Sequence, residues 1–287
     1  MAIVNTKQLV DAELEGRVRQ YVWRKSPTQT VASGAWFDTS MSPGNPAAQY
    51  YIGSPYTSVV LARSTDGGIQ HGANVSPSTK YLRSVTNMTS TATSLPLPMI
   101  LCDYLLCYPF IDTSDITVNV PMIQTFGLTR YTDGVGVQVM AVQTNPGTGG
   151  QSFYFTYTNS DGVSGRTSQI VTMSSASGVG MVITSSSGVA NVAGAPFIGL
   201  QSGDGGVRSI ESITMLGADV GLFALVLVKP LLRTAINEIT APYEKDVLLV
   251  GGEIPRIYDD AFLGYVVSPQ GALSATALIG DIKVVWE

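Results

Sequence analysis

Charge is what this chain has least of. Only 13% of its 287 residues are Asp, Glu, Lys or Arg, against 45% hydrophobic, and the mean hydropathy is +0.22. No apolar run reaches the roughly 18 to 20 residues that a membrane-spanning helix needs. The apolar excess therefore goes into a core or into contacts with other protein copies, and contacts are favoured because a weakly charged surface is a poor way to stay soluble alone. The balance of 16 Lys and Arg against 21 Asp and Glu gives a net charge of −5. No basic stripe is present, which argues against direct packing on nucleic acid. Met1-Ala2-Ile3-Val4-Asn5 has neither the basic region nor the apolar core of a signal peptide.

The residues of catalysis are equally scarce. The one histidine, His71, has no second ligand at metal-binding spacing and reads as a surface or loop residue. The two cysteines, Cys102 and Cys107, read as buried thiols in a reducing compartment rather than as a disulfide. No nucleophile elbow, phosphate-binding loop or dinucleotide fingerprint occurs. Asp259-Asp260 are paired carboxylates, but neighbours along a strand face opposite ways, so a turn or solvated loop fits them better than an acid–base pair. The expectation is a non-enzyme with no catalytic residue, no metal ligand and no cofactor.

What the chain does have is β pattern. Leu222 to Val228 is unbroken apolar sequence between Gly221 and Lys229-Pro230, as in a strand buried on both faces. With Val207 to Met215 before it and a Gly-rich turn at 217–221 between them, residues 199–232 read as a central β-hairpin. Residues 81–88, 135–143, 153–158, 246–250, 263–267 and 277–286 read as further strands, with a turn at 159–162 returning through Arg166. Residues 99–109, between prolines, fit a buried strand or a short helix and are taken as mixed, partly helical. Residues 174–195 read as loops and an edge hairpin. Thr6 to Tyr21 reads as an amphipathic helix capped by Thr6. The fold class is mainly β: an antiparallel sandwich or jelly-roll-like domain over 57–287, with a possible sub-boundary near 233–245.

Residues 1–56 carry that helix and an extended arm rich in Pro, Ser and aromatic residues. Trp23, Trp36, Phe37, Tyr50 and Tyr51 lie in sequence too irregular to build a core of its own, yet are too costly to leave in water. Either the segment wraps over the chain's own sheet, or it lies on another subunit. The second reading makes these five aromatics the candidate contact residues.

Several stretches resemble a group of tailed-phage virion structural proteins. They are Ser26-Pro27-Thr28-Gln29 through Trp36-Phe37-Asp38, then Ser42-Pro43-Gly44-Asn45-Pro46 with Gln49-Tyr50-Tyr51. Pro98-Met99-Ile100-Leu101-Cys102-Asp103-Tyr104-Leu105 and Gly206-Val207-Arg208-Ser209-Ile210-Glu211-Ser212 continue the likeness. It implies a particle component, assembled in a bacterial cytoplasm and located in the virion, whose partners are the capsid protein and copies of itself. The absence of a long spine helix weighs against a major capsid protein, and a tail-tube role stays open. A decoration (cement) protein that bridges capsomers fits best. A receptor- or glycan-binding module is the alternative of another class.

Overall fold

Two long apolar strands set the scale of the molecule. Leu97–Asp112 and Val220–Ile236 run antiparallel over 16 and 17 residues, from Leu222↔Asp112 to Ile236↔Leu97. At roughly 3.3 Å per residue each spans about 50 Å, long enough for one sheet to serve two cores side by side. The computed structural model describes residues 3, 5–28, 33–184, 195–239, 241–250, 254–274 and 276–287.

The central sheet places these two strands between Gln138–Thr148, with Ala176–Ser177 beyond it, and Phe262–Val267, with Phe37–Asp38 beyond that; Val59–Val60 also pairs with Leu97–Asp112. A second sheet orders Tyr243–Asp246, Lys80–Thr89, Leu278–Trp286, Val18–Lys25 and Gly44–Asn45. A third is built on Ser152–Asn159 and Val207–Met215, edged by Arg166–Thr167 and Val120–Pro121. All strand pairings in the three sheets are antiparallel.

Side-chain alternation then divides the interior. Leu97, Met99, Leu101 and Leu232 meet Trp23, Leu82, Val85 and Ile282 of the second sheet. Further along, Tyr108, Phe223, Leu225 and Leu227 meet Phe153, Phe155, Tyr157 and Ile213 of the third. The intervening residues Ile100, Cys102, Tyr104, Ala224, Val226 and Val228 form a further core on the opposite face. Its cover comes from Met41, Tyr51 and Leu61, with Trp36 and Val59 packed against it. The fold is a β-sandwich in which two sheets share one central partner.

Four expectations change. Residues 199–232 do not form a hairpin: Val207–Met215 pairs with Ser152–Asn159, whereas Val220–Ile236 pairs with Leu97–Asp112 and Gln138–Thr148. Their apolar faces meet across the sandwich, so the chain crosses between layers. Asp219 fixes that crossing by accepting from the backbone N–H of Gly150 (2.9 Å) and Gln151 (2.7 Å). Gly149, at φ 138°, lies so close that an added Cβ would sit 1.6 Å from the Asp219 carboxylate.

Residues 99–109 are strand, not part-helix. A helix there would be apolar all round, whereas a strand between two layers delivers alternate residues to separate cores. Pro109 and Phe110 (φ 54°) form a bulge, two residues lying between the pairs Tyr108↔Leu225 and Ile111↔Phe223. A bulge is where a strand tolerates a missing N–H. The N-terminal helix is Thr6–Leu14, capped by the Asn5 side chain rather than by Thr6, and Gly16 (φ 72°) follows it. Val18 and Tyr21, which fit helical spacing, belong to the strand Val18–Lys25. Residues 246–250 are the end of Tyr243–Asp246 and a helical turn, Val247–Val250. Within residues 174–195, Ala176–Ser177 is a short strand, and 185–194 lie outside the described residues.

Candidate functional site

Three of the five arm aromatics are consumed by the chain's own cores. Trp23 sits on Val18–Lys25, paired to the C-terminal strand Leu278–Trp286, its ring 4.9 Å from that of Tyr265. Phe37 pairs with Val267 at the edge of the central sheet, and Tyr51 is buried in the core on the opposite face of that sheet. Of the two readings of this segment, the wrap over the chain's own sheets describes these three residues: Trp23 joins the second sheet, and the stretch from Phe37 to Leu61 forms a strap across the back of the central sheet. Trp36 is half-buried against the same core. Tyr50 is 54% exposed and Ile52 71%, pointing outward on either side of the inward Tyr51, as alternation in an extended chain requires.

The strap is held by polar groups that sequence reasoning missed. Asp38 accepts from the hydroxyls of Tyr51 (2.5 Å) and Tyr104 (2.7 Å) and from the Ser40 backbone N–H and hydroxyl (both 2.8 Å). Burial raises its pKa and these hydrogen bonds pull it back. Lys25 donates to the carbonyls of Ser42 (3.0 Å), Ala47 (3.2 Å) and Ser40 (3.4 Å). Burial lowers its pKa to about 8, with Asp38 opposing. Gln49 Nε2 donates to Asp66 at 3.0 Å, fixing the strap just before Tyr50.

A second tie joins the loop between Val120–Pro121 and Gln138–Thr148 to the central sheet. Arg130 grips the buried Asp103 with two nitrogens (3.0 and 2.9 Å) while donating to the carbonyls of Leu61 and Tyr104. Burial pushes the Asp103 carboxyl up to about 6, against the pull of Arg130. The sequence did carry a signal: an acid inside an apolar run must have a buried partner. Asp204 likewise binds Arg166, Tyr157 and Asn159, and the first two hold its pKa down to about 2.

His71 is in a loop, but not at the surface. It is fully buried, with Nε2 2.9 Å from the Ala261 carbonyl and Nδ1 3.4 Å from Lys80 Nζ. The carbonyl can only accept and the ammonium only donate, so Nε2 carries the hydrogen. Burial lowers its pKa to about 4, opposed by the hydrogen bond with the Ala261 carbonyl and by Asp259 and helped by Lys80 and Arg63. Asp259 pairs with Lys80 at 3.3 Å, and Asp260 accepts from the Ser64 backbone N–H at 2.8 Å. The two carboxylates thus pin loops, apart from each other. Cys102 and Cys107 are buried free thiols. Among the described residues, no group of three or more His, Cys, Asp or Glu could hold a metal ion, and no helix is long and apolar enough to cross a membrane.

Comparison with protein families and with curated proteins finds no match. Among solved structures, the chain aligns with "Structure of infectious bursal disease virus Gx strain" at 8% identity and a TM-score of 0.18, covering 94% of this chain and 79% of that one. The corresponding structure of the Gt strain gives 10% identity and a TM-score of 0.19, with 94% and 80% covered. Likeness at that level carries no argument about this chain's fold or function.

Proposed function

We propose that this protein is a non-catalytic structural component of a virus particle, of the decoration type, attached to a capsid shell and to copies of itself. The observation that carries the reading is the strap. Asp38 and Tyr51 lock it to the central sheet, Lys25 of the second sheet ties its carbonyls, and this presents Tyr50 and Ile52 to solvent from a fixed backbone. Apolar side chains held ready in this way lose little conformational freedom on docking. The motif resemblance to virion structural proteins and the low overall charge point the same way. The ionisable clusters support it too, since each joins segments of the chain: Asp38 with Tyr104, Asp103 with Arg130, His71 with Ala261. A shell component works mechanically, adding contact area between neighbouring subunits, and many weak sites on one lattice hold it by avidity.

The test replaces both outward residues, Tyr50→Ser with Ile52→Ser, and measures co-sedimentation with particles alongside thermal unfolding. Loss of attachment with an unchanged melting temperature is expected. Normal attachment would overturn the role given to the strap.

A further inference from the structure

The central sheet is incomplete along one edge. Gln138–Thr148 accompanies Val220–Ile236 only as far as Val228↔Gln138. Beyond that point residues 229–236 keep their partners in Leu97–Asp112, and no strand among the described residues pairs along their other side. The space left is an open groove of about 590 Å³.

Four cationic residues line it: Lys229, Arg233, Lys245 and Arg256. That is 4 of the chain's 16 Lys and Arg, gathered on one groove of a protein that is acidic overall. None of its described lining residues is acidic, and none of the four is ion-paired among the described residues. Asp246, adjacent to Lys245, is taken by Arg83. The contacts the cations do make are to neutral groups. Lys229 Nζ donates to the Val135 carbonyl at 2.8 Å, and Lys245 Nζ to that of Arg233 at 3.2 Å. Among the described residues, the four charges therefore have no ion-pair partner. The same groove has apolar walls in the half-buried Leu231, Ile254 and Pro255, with Leu232 and Val247 buried in the core beneath them.

Positive charge alone would suit a phosphate backbone, but a nucleic acid strand also needs free aromatic faces for its bases. Here the nearby rings are occupied: Lys229 Nζ lies 5.5 Å from the Tyr131 ring centre and Arg256 4.3 Å from that of Tyr258. Those two rings meet edge to face at 5.0 Å. Cations beside an apolar wall match carboxylates beside apolar side chains. We propose that this groove binds an extended acidic segment of a partner protein. Its carboxylates meet Lys229, Arg233, Lys245 and Arg256, and its apolar side chains seat against Leu231, Ile254 and Pro255. The inference goes beyond the particle role and does not depend on the strap.

The experiment uses the full chain and a short fluorescent peptide of alternating Asp and Leu, followed by anisotropy. Binding should weaken about tenfold between low and physiological salt, as screening of several charges implies. Arg233→Glu, at an exposed position, should weaken binding by a further factor of about ten without moving the urea midpoint. Arg256→Glu, from a different strand, gives an independent second reading with the same expected loss. A peptide alternating Asp and Ser should bind more weakly than the Asp–Leu peptide. Unchanged binding in both charge-reversal variants, equal binding of the two peptides, or tighter binding of a labelled oligothymidylate would each overturn the proposal.

Discussion

Acidification should destabilise this protein through its single imidazole. In the folded chain His71 is neutral, sealed under the Ala261 carbonyl and Lys80, and its pKa falls from 6.5 to about 4. Unfolding exposes it to water, where it takes up a proton near its ordinary value. Between about pH 6.5 and 4 the unfolded chain therefore binds a proton that the folded chain refuses, and stability falls as pH drops through that window. Above it the contribution is fully present; below about pH 4 it is gone. Each tenfold mismatch in proton affinity is worth about 1.4 kcal/mol, so the full effect is about 3 kcal/mol. Asp38 and Asp103 are raised by burial and titrate with the opposite sign, so the comparison must be with His71→Gln. Urea unfolding at a series of pH values should show a steeper acid loss in the native chain than in the variant. Because His71 is the one histidine, its NMR signal reads the folded titration directly. An imidazole titrating near pH 6.5 in the folded protein, or equal pH dependence of the two proteins, would refute the reasoning.

Other outcomes follow from the same contacts. Arg130→Ala strands the buried Asp103 carboxylate and should cost about 3 to 5 kcal/mol in chemical unfolding; a loss below about 1 kcal/mol would mean the tie is unimportant. Leu225→Ala should cost about 2 to 5 kcal/mol, whereas Leu14→Ala, at a position 81% exposed, should stay within about 0.5 kcal/mol. Removing residues 1–56 takes out the strand Val18–Lys25 and the Trp23 side chain from the second sheet. The remainder should lack a cooperative melting transition; a sharp transition would show that the strap and first strand are dispensable.

What could be read from the sequence was whatever local pattern decides alone. Leu222 to Val228 is apolar at every position and all seven residues sit in the central sheet, six of them buried and Leu222 half-buried. Phe153, Phe155 and Tyr157 alternate and share one face. Pairing was another matter, because strands 207–215 and 220–236 are consecutive and apolar whether they lie side by side or face to face. Val18 and Tyr21 satisfy helical spacing, and the strand partners that override it lie at the other end of the chain, as in Val18↔Val285. The buried ties were equally distant: Asp103 and Arg130 stand 27 residues apart, His71 and Ala261 190. Of the arm aromatics Trp23, Phe37 and Tyr51 are buried whereas Tyr50 is exposed, and only the fold shows that Tyr51 turns inward and Tyr50 outward.

The central claim, a structural role in a virus particle, is tested most directly by counting copies of this chain in purified particles by quantitative mass spectrometry. A decoration-type shell component should be present in hundreds of copies, in fixed ratio to the capsid protein. Absence from purified particles, or only a handful of copies in each, would contradict the account.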